Sequence, residues 1–539
     1  MICLRYLLFV GSVTTLLLLV RFVQPTIAQD DEPNEGRKKP NILMIAVDDL
    51  NSWVGYFERY TKKGHKDSLT PNFDRLSAMG VSFTNAHASS TICNPSRAAI
   101  WSGMRPETSG CYSNKDYPWK SYLKEGLGLN AHFKDNGYFV AGMGKTYHSS
   151  QQGEKDSTKI YVDEWNDYPK RVTSDKWDKV TDRAGFTEPL KVSLDEEDEP
   201  DWHTASYCAK RLKQSSDDRN DKPLFLVCGL IKPHLPWAVP DDFYEPFPEN
   251  EATLPLPKYP STNDWKEWRD IIEEDLEDIP KYAIKEMSKV DKEYAEVIDK
   301  KVWSSSIANY LASIHWVDFC LGRILDGLEE SPEKDNTIIV LWSDHGYHLG
   351  EKGHHKKQTL WSEASDVPFI WVVPGVTTPG SVSNRSVDLQ SIYPTLCRLA
   401  GLPVPEHVDG DDITPLLEDP RAKWSGVAKV TMLYDNHAVI NKRYRYIRYQ
   451  DGSEELYNTI KDPGEMTNLA EMGQYKKIKR KLAKHLPRVA MDPWHDGSQN
   501  NNVKKTCNNK DDIVKPCDDG KSFVARDPNR NCKYTSCPG

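Results

Sequence analysis

The segment Cys93-Asn94-Pro95-Ser96-Arg97-Ala98-Ala99 combines a nucleophile, a fixed cation and a helix start within a few residues. Pro95 suits the first turn of a helix, where a missing N–H leaves nothing unsatisfied, and Ala98 and Ala99 continue it. The spacing predicts a helix with Cys93 at its N-terminus. Unpaired backbone N–H groups and the helix dipole favour an anion there. Arg97 adds a positive charge close by. On these residues alone two readings stay open: a nucleophile facing an anionic substrate, or a cysteine that is buried or disulfide-bonded.

More polar groups follow short apolar runs. Asp48-Asp49 follow residues 41–47, and Gly144-Lys145 follow residues 138–143, with His148 close behind. Lys232-Pro233-His234 follow residues 224–230, and Asp344-His345-Gly346 follow residues 337–343. The carboxylates of Asp48, Asp49 and Asp344 are hard oxygen ligands that suit calcium or magnesium. Gathered without a partner they would repel one another, a cost that a divalent cation removes. For the Asp48-Asp49 pair a strand-ending turn with capping side chains is the other reading.

An α/β scaffold must position these groups. The runs 41–47, 138–143, 224–230, 337–343 and 369–373 are mostly apolar, as in parallel strands buried on both faces. Helical patterns lie between them at 71–79, closed by Gly80, at 307–328, and at 388–400, closed by Gly401. The alternation predicts a large mixed, mostly parallel sheet flanked by helices. In open sheets of this kind ligands bind outside the carboxyl ends of the strands. Four of the runs end in Asp-Asp, Lys, His and Asp-His, so one cleft would collect them.

Around this catalytic region, taken as residues 41–424, the chain reads in further pieces. Its 539 residues, with 16 Trp and 25 Tyr, have an ordinary globular composition. A net charge of -10 and the absence of a long basic stripe argue against nucleic acid as a partner. Arg5 precedes an apolar run over 7–20, followed by Arg21 and Thr26-Ile27-Ala28. The run falls short of the roughly 20 residues of a membrane span. It predicts a cleaved signal peptide over 1–28, a polar leader over 29–40, and no stable span after cleavage. The protein is then exported, to a periplasmic, extracellular or lysosomal location. Eleven cysteines in an exported chain predict disulfides. Cys507, Cys517, Cys532 and Cys537 suggest a tail over 496–539 stapled by two bridges, with the pairing open. Residues 245–300 read as an insertion with a helical second half, and 195–199 as a solvated acidic loop. Short β-prone runs with turn-like links between 427 and 457 predict a smaller antiparallel C-terminal domain over 425–495. Trp237, Tyr259, Trp265 and Trp268 could stack on sugar rings or pack in the core.

The motifs together resemble those of type I formylglycine-dependent sulfatases, of the alkaline-phosphatase-like superfamily. Cys93-Asn94-Pro95-Ser96-Arg97, followed by Gly103, resembles the first sulfatase signature, and residues 137–148, with Gly144-Lys145 and His148, resemble the second. Asp48-Asp49 and Asp344-His345 fall at the family's metal positions. Lys232-Pro233-His234-Leu235-Pro236-Trp237 and the Asp-His form of the last metal motif are most similar to the iduronate-2-sulfatase branch. The resemblance runs over roughly residues 40 to 490. Val140 and Ser102 depart from the signatures, and His354-His355-Lys356 replace a Trp-containing run common in relatives.

The resemblance implies a sulfuric ester hydrolase acting on a sulfated carbohydrate. It implies oxidation of Cys93 to formylglycine by a formylglycine-generating or sulfatase-maturing enzyme. It implies one calcium ion held by Asp48, Asp49, Asp344, His345 and an oxygen of formylglycine 93. Lys145 and Lys357 would neutralise the sulfate oxygens. His148 would take a proton from the second hydroxyl of the hydrate, His234 would protonate the leaving alcohol, and Arg97 would hold the hydrate. Two alternatives stand beside this reading: a phospho- or phosphonate-ester hydrolase of the same superfamily, and an inactive protein that binds sulfated glycans.

Overall fold

Strand β1 (Asn41–Asp48) is buried at every position. Leu43, Ile45 and Val47 face one core, and Ile42, Met44 and Ala46 face another. Side chains alternate across a strand, so a strand with a core on each side reads as an unbroken apolar run. The protein is seen in a computed structural model that describes residues 38–61, 63–116, 127–148, 164–178, 193–248, 265–288, 297, 300, 302–488, 490–493, 514–516, 523–527 and 533–534. Lys39–Gly539 form one compact unit. The signal peptide and nearly all of the leader, the four tail cysteines, Tyr259, and the side chains of Trp265 and Trp268 lie outside the described residues.

The large sheet holds β1, β2 (Val81–Phe83), β3 (Phe139–Gly144), β4 (Leu224–Pro233), β5 (Thr337–Ser343), β6 (Phe369–Val372) and β7 (Ser381–Ser383). Their order is β7-β2-β6-β5-β1-β4-β3. The four neighbours β5, β1, β4 and β3, which run to one edge of the sheet, are parallel. They are the four runs that end in reactive residues, so the sheet is α/β and mostly parallel.

One strand runs against the expectation. β6 pairs antiparallel with both β5 and β2. A strand buried on both faces has the same apolar run in either direction, so the sequence does not show its sense. The connection does. A parallel return needs a crossover, usually a long helix. Residues 344–368 contain no long helix, only the short helix Ser362–Ser365, a 3-10 turn at Glu351–Gly353 and a small hairpin of His348–Leu349 with His355–Lys356. The chain stays at the carboxyl edge, and this segment carries Lys357.

Helices α1 (Pro71–Met79), α3 (Pro200–Lys213) and α4 (Trp303–Glu329) pack on one face of the sheet, and α2 (Cys93–Ser102) and α5 (Ile392–Leu399) on the other. In α4, Ile307, Leu311, Ile314, Leu321 and Ile324 are all essentially inaccessible. Each such burial contributes about 1.5–3 kcal/mol relative to exposure. Gly80 closes α1 without the left-handed turn expected of it, at φ -154°. A Cβ at this position would lie 2.1 Å from the Trp371 carbonyl oxygen, so close approach to β6 explains the glycine. A disulfide between Cys208 and Cys228 joins α3 to β4.

Four strands, β8 (Ala428–Thr431), β9 (His437–Ile440), β10 (Tyr444–Arg448) and β11 (Glu454–Asn458), form an antiparallel meander. One face packs on Leu360 and Trp361 of the main body, and helix α6 (Lys476–Ala483) covers the other. Arg445 of β10, fully buried, bonds to Asp366 at 2.8 Å and Glu465 at 2.7 Å and ties the small sheet down. Asp366 also meets Lys63 at 2.8 Å and His87 at 2.9 Å. Beyond it, Val514–Pro516, Phe523–Asp527 and Lys533–Tyr534 pair as a three-stranded antiparallel sheet.

Three local expectations are refined. The acidic run 195–199 is not wholly solvated: Glu199 is 0 % exposed, caps Asp201 N–H at 2.6 Å and accepts the Trp316 indole N–H at 2.9 Å. Trp237 is a core residue, with its indole donating to the Pro233 carbonyl at 2.8 Å. Helices Trp265–Leu276 and Lys281–Ser288 lie in the middle of the segment 245–300, and most of 289–299 falls outside the described residues. Among the described residues no helix is long and apolar enough to cross a membrane.

Candidate active site

The carboxyl edge of the central strands is built from backbone outward. Asp48 ends β1, and Asp49 turns the chain at φ 62°. A short polar side chain tolerates that left-handed conformation better than most. The Asp344 N–H, just past β5, donates to the Val47 carbonyl at 3.2 Å, and the Asp49 N–H donates to Asp344 Oδ1 at 3.2 Å. The Tyr310 hydroxyl fixes the Asp49 carbonyl at 2.6 Å. Two adjacent strands thus present three carboxylates to one point, with Asp48 and Asp344 fully buried.

Helix α2 approaches the same point with its N-terminus. It begins at Cys93, and Ile92 before it is extended with no side-chain cap, so the first-turn N–H groups must find partners elsewhere. Asn114 holds one of them, the Asn94 N–H, at 3.0 Å. Arg97 lies one turn on. Its Nε donates to Asp344 Oδ2 at 2.8 Å, Nη2 stands 3.5 Å from Asp48 Oδ1, and Nη1 donates to the carbonyls of Lys145 and Thr146. Ser96 Oγ donates to the Asp344 carbonyl at 2.5 Å.

The Cys93 sulfur is ringed by cations and a histidine. Lys357 Nζ is 3.2 Å away, His345 Nε2 is 3.3 Å and Lys145 Nζ is 3.9 Å. Lys145 also pairs with Asp48, and Lys357 with Asp49. His345 Nδ1 lies 2.9 Å from the Gly346 carbonyl, to which it must donate. Its Nε2 lone pair therefore faces the centre, 3.4 Å from Asp49 and 3.7 Å from Asp344. His234 is held the same way by Nδ1, which donates to the Leu235 carbonyl at 2.6 Å, and its Nε2, 3.8 Å from Asp49 Oδ2, can carry a proton. Its side chain is one-third exposed, at 33 %, on the open side of the site.

Electrostatics follow from this crowding. Burial works against ionisation of Asp48, but Lys145, His234 and Arg97 outweigh it and hold the carboxyl well below its ordinary range. Asp49 is lowered in the same way, with Lys357 the leading cation. Burial opposes the charge on Lys357 and Lys145, and the facing carboxylates and Cys93 more than restore it. Burial, followed by the nearby Lys145, pushes His148 down to about 3. His148 is half-buried, and the charges of Lys145, Asp48, Arg97 and Lys357 act on it, so it lies in the field of the same centre.

The donor set has the chemistry of a hard-cation site. Ligand atoms of Asp48, Cys93, Asp344 and His345 lie within 4.8 Å of one another, as do those of Asp49, Cys93 and His234. Asp48 Oδ1 is buried without a hydrogen-bond partner. A buried carboxylate oxygen with no hydrogen bond and only the Arg97 guanidinium 3.5 Å away is under-satisfied, and a cation at this point would satisfy it.

Asp48, Asp49, Cys93, Arg97, Lys145, His234, Asp344, His345 and Lys357 therefore converge, with His148 beside them. Sequence reasoning missed Ser96, which props the Asp344 backbone, and Asp201. The fully buried Asp201 carboxylate accepts the N–H groups of Ile231 and Lys232, just before His234. Its only sequence signal, an Asp at a helix start, does not reach a strand thirty residues on.

The sulfatase family profile matches residues 40–402 of this chain, about two-thirds of its length. The chain belongs to the sulfatase family. A second profile, the C-terminal region of N-sulphoglucosamine sulphohydrolase, matches residues 350–492, including the small sheet of this sulfatase. A sulfatase of Formosa agariphila is 35 % identical over 475 residues, covering 85 % of this chain and 89 % of the relative. The iduronate 2-sulfatase of Mus musculus is 30 % identical over 402 residues, 68 % of this chain and 69 % of the relative. A solved 2-O GAG sulfatase shares the fold with a TM-score of 0.59 at 24 % identity, over 83 % of this chain and 90 % of that one. The protein is thus a sulfatase enzyme with the alkaline-phosphatase-like fold.

Proposed function

We propose that this sulfatase removes sulfate from a sulfated carbohydrate, using a formylglycine hydrate at residue 93 and one calcium ion. The observation that carries the reading is the environment of the Cys93 sulfur. Two lysines and one imidazole lie within 3.9 Å of it, at the N-terminus of a helix. Such a site stabilises negative charge from several sides at once.

Asp48, Asp49, Asp344 and His345 would hold the calcium ion, with an oxygen of residue 93 where the sulfur now lies. The ion would supply charge stabilisation for the nucleophile and the sulfate. Formylglycine, hydrated, supplies two hydroxyls, one to displace the sugar alcohol from sulfur and one whose deprotonation later expels sulfate.

The chain's own residues divide the remaining work. Arg97 is locked by Asp344 and two carbonyls, so it orients residue 93 and does not swing to substrate. Lys145 and Lys357 flank the nucleophile and would bind the sulfate oxygens as charge builds on them. His234, on the open side, would protonate the departing sugar oxygen. His148, in the same electrostatic field, would accept the proton of the second hydroxyl. The disulfide Cys208–Cys228 supports an exported location. The glycan substrate is supported by the iduronate and GAG sulfatases among the relatives.

The test is expression with a maturation enzyme, peptide mass spectrometry across residue 93, and sulfate release from sulfated oligosaccharides beside phosphate- and phosphonate-ester assays. Formylglycine with dominant sulfate release is the expected result. Dominant phosphoester turnover with an unmodified cysteine would overturn the reading. Glycan binding without sulfate release by formylglycine-containing protein would establish the inactive binder instead.

A further inference from the structure

Helix α6 and the turn after it carry Lys476, Lys477, Lys479, Arg480, Lys481, Lys484 and Arg488, and no acidic residue. This stands out in a chain of net charge -10. The run is too short to register as a long basic stripe along the sequence, but the fold concentrates it. Leu482, Leu486 and Ile478 turn inward onto Val439, Tyr446 and Leu456, which leaves the cations outward. Among the described residues Lys479 pairs with an acidic partner, Glu454 at 2.6 Å, while Lys476, Lys477, Arg480, Lys481, Lys484 and Arg488 are exposed.

The placement works against the helix itself. Lys476 and Lys477 sit in its first turn, where the dipole favours anions, and like charges three and four residues apart repel. Lys481 and Lys484 near the far end are explained by the dipole; the first-turn lysines are not. A second element joins the patch. The rings of Tyr444 and Tyr475 meet at 6.3 Å, which brings the exposed Lys442 and Arg443, just before Tyr444, beside the first turn of α6. Cations from two elements thus flank an aromatic pair. This face of the small sheet is opposite the one packed on the main body, so it does not belong to the catalytic cluster.

We infer that the outer face of α6 with the Lys442-Arg443 turn is a second, non-catalytic binding surface for a sulfated polysaccharide chain. Clustered cations attract a polyanion, and aromatic rings beside them offer apolar faces for sugar rings. The inference rests on the proposed glycan substrate and extends it: the preferred substrate is a polymer, held at one point while sulfate is cut at another.

The test uses the full mature enzyme with Lys477→Ala, Arg480→Ala and Lys484→Ala combined, and separately Lys442→Ala with Arg443→Ala. Binding to immobilised heparin is measured across salt concentrations. The triple variant is expected to bind at least about tenfold more weakly at 0.1 M salt. Its salt dependence should be shallower by about 2 in log–log slope, from roughly 0.7–0.9 per lost contact on a polyanion. Turnover of a small sulfated saccharide should be unchanged, and sulfate release from a sulfated polymer should fall. The turn variant should weaken heparin binding in the same direction, independently of α6. Unchanged heparin binding in both variants overturns the inference. So does wild-type binding to duplex DNA, to anionic phospholipid vesicles or to unsulfated polygalacturonate as tight as to heparin. Heparin binding is read without catalysis, so absence of sulfate release alongside patch-dependent binding would strike the proposed reaction and leave the surface standing.

Discussion

Asp201 grips Lys232 by its backbone: one carboxylate oxygen accepts the Lys232 N–H at 2.8 Å while the other accepts the Ile231 N–H at 2.7 Å. His234 follows two residues later, so a buried side chain on α3 sets the exit of β4 and with it the proposed acid. Asp201→Asn would turn an N–H donor against an N–H donor, a loss of about 1–3 kcal/mol. Turnover of a sugar sulfate should fall about tenfold or more with little change in KM. An aryl sulfate with an acidic phenol, which leaves without a proton, should be far less affected. Equal losses on both substrates would mark Asp201 as merely structural.

Cys93→Ala removes the proposed nucleophile while leaving Asp48, Asp49 and Asp344 in place. Sulfate release should drop by at least about four orders of magnitude, as is usual for removal of a covalent catalyst. The thermal midpoint should move little. Retention of more than about a hundredth of the activity would show that residue 93 is not the nucleophile.

Calcium should stabilise the folded enzyme because Asp48, Asp49 and Asp344 face one another at the sheet edge. At a free concentration about a hundredfold above its Kd, an ion that binds only the folded state contributes about 2.7 kcal/mol. Chelation should lower the thermal midpoint of the wild type, and calcium should restore it. In Asp48→Asn the calcium-dependent part of that shift should shrink. A midpoint insensitive to both chelator and calcium would count against the site.

Asp366 gives a pH prediction away from the active centre. Burial opposes its charge, but Lys63, His87 and Arg445 overcome this and hold the carboxyl far below its ordinary range. A depressed folded-state pKa means stability that is fully present above the unfolded value, about 3.9 for Asp, and lost as pH falls below it. Asp366→Asn should cost about 3–5 kcal/mol at neutral pH, because Lys63 and Arg445 lose their shared partner. The gap between variant and wild type, measured by denaturant melts, should narrow below about pH 4. A gap constant from pH 7 to pH 3 would contradict the network.

These sites differ in how far the sequence discloses them. Asp48, Lys145, His234 and Asp344 are legible because each follows an apolar run, and parallel strands bring their carboxyl ends to one edge. Cys93 is legible because Pro95 and the alanines announce a helix start. The antiparallel sense of β6 is not, since burial on both faces erases direction. Gly80 looks like a cap, whereas its real constraint is the Trp371 carbonyl, which no local pattern contains. Asp201, Asp366 and Arg445 act across long stretches of chain, where propensity and periodicity carry no signal. The basic face of α6 needed the fold to separate inward leucines from outward lysines.

All ten residues of α2 are buried, and Cys93 is 1 % exposed. If residue 93 must be oxidised to work, the native molecule hides it from the enzyme that would oxidise it. On that condition the opportunity would exist only before α2 settles against the sheet. A copy that folds too early is sealed with its thiol intact. The specific activity of a preparation would then record a race between modification and folding, with the outcome fixed once for each molecule and beyond later repair.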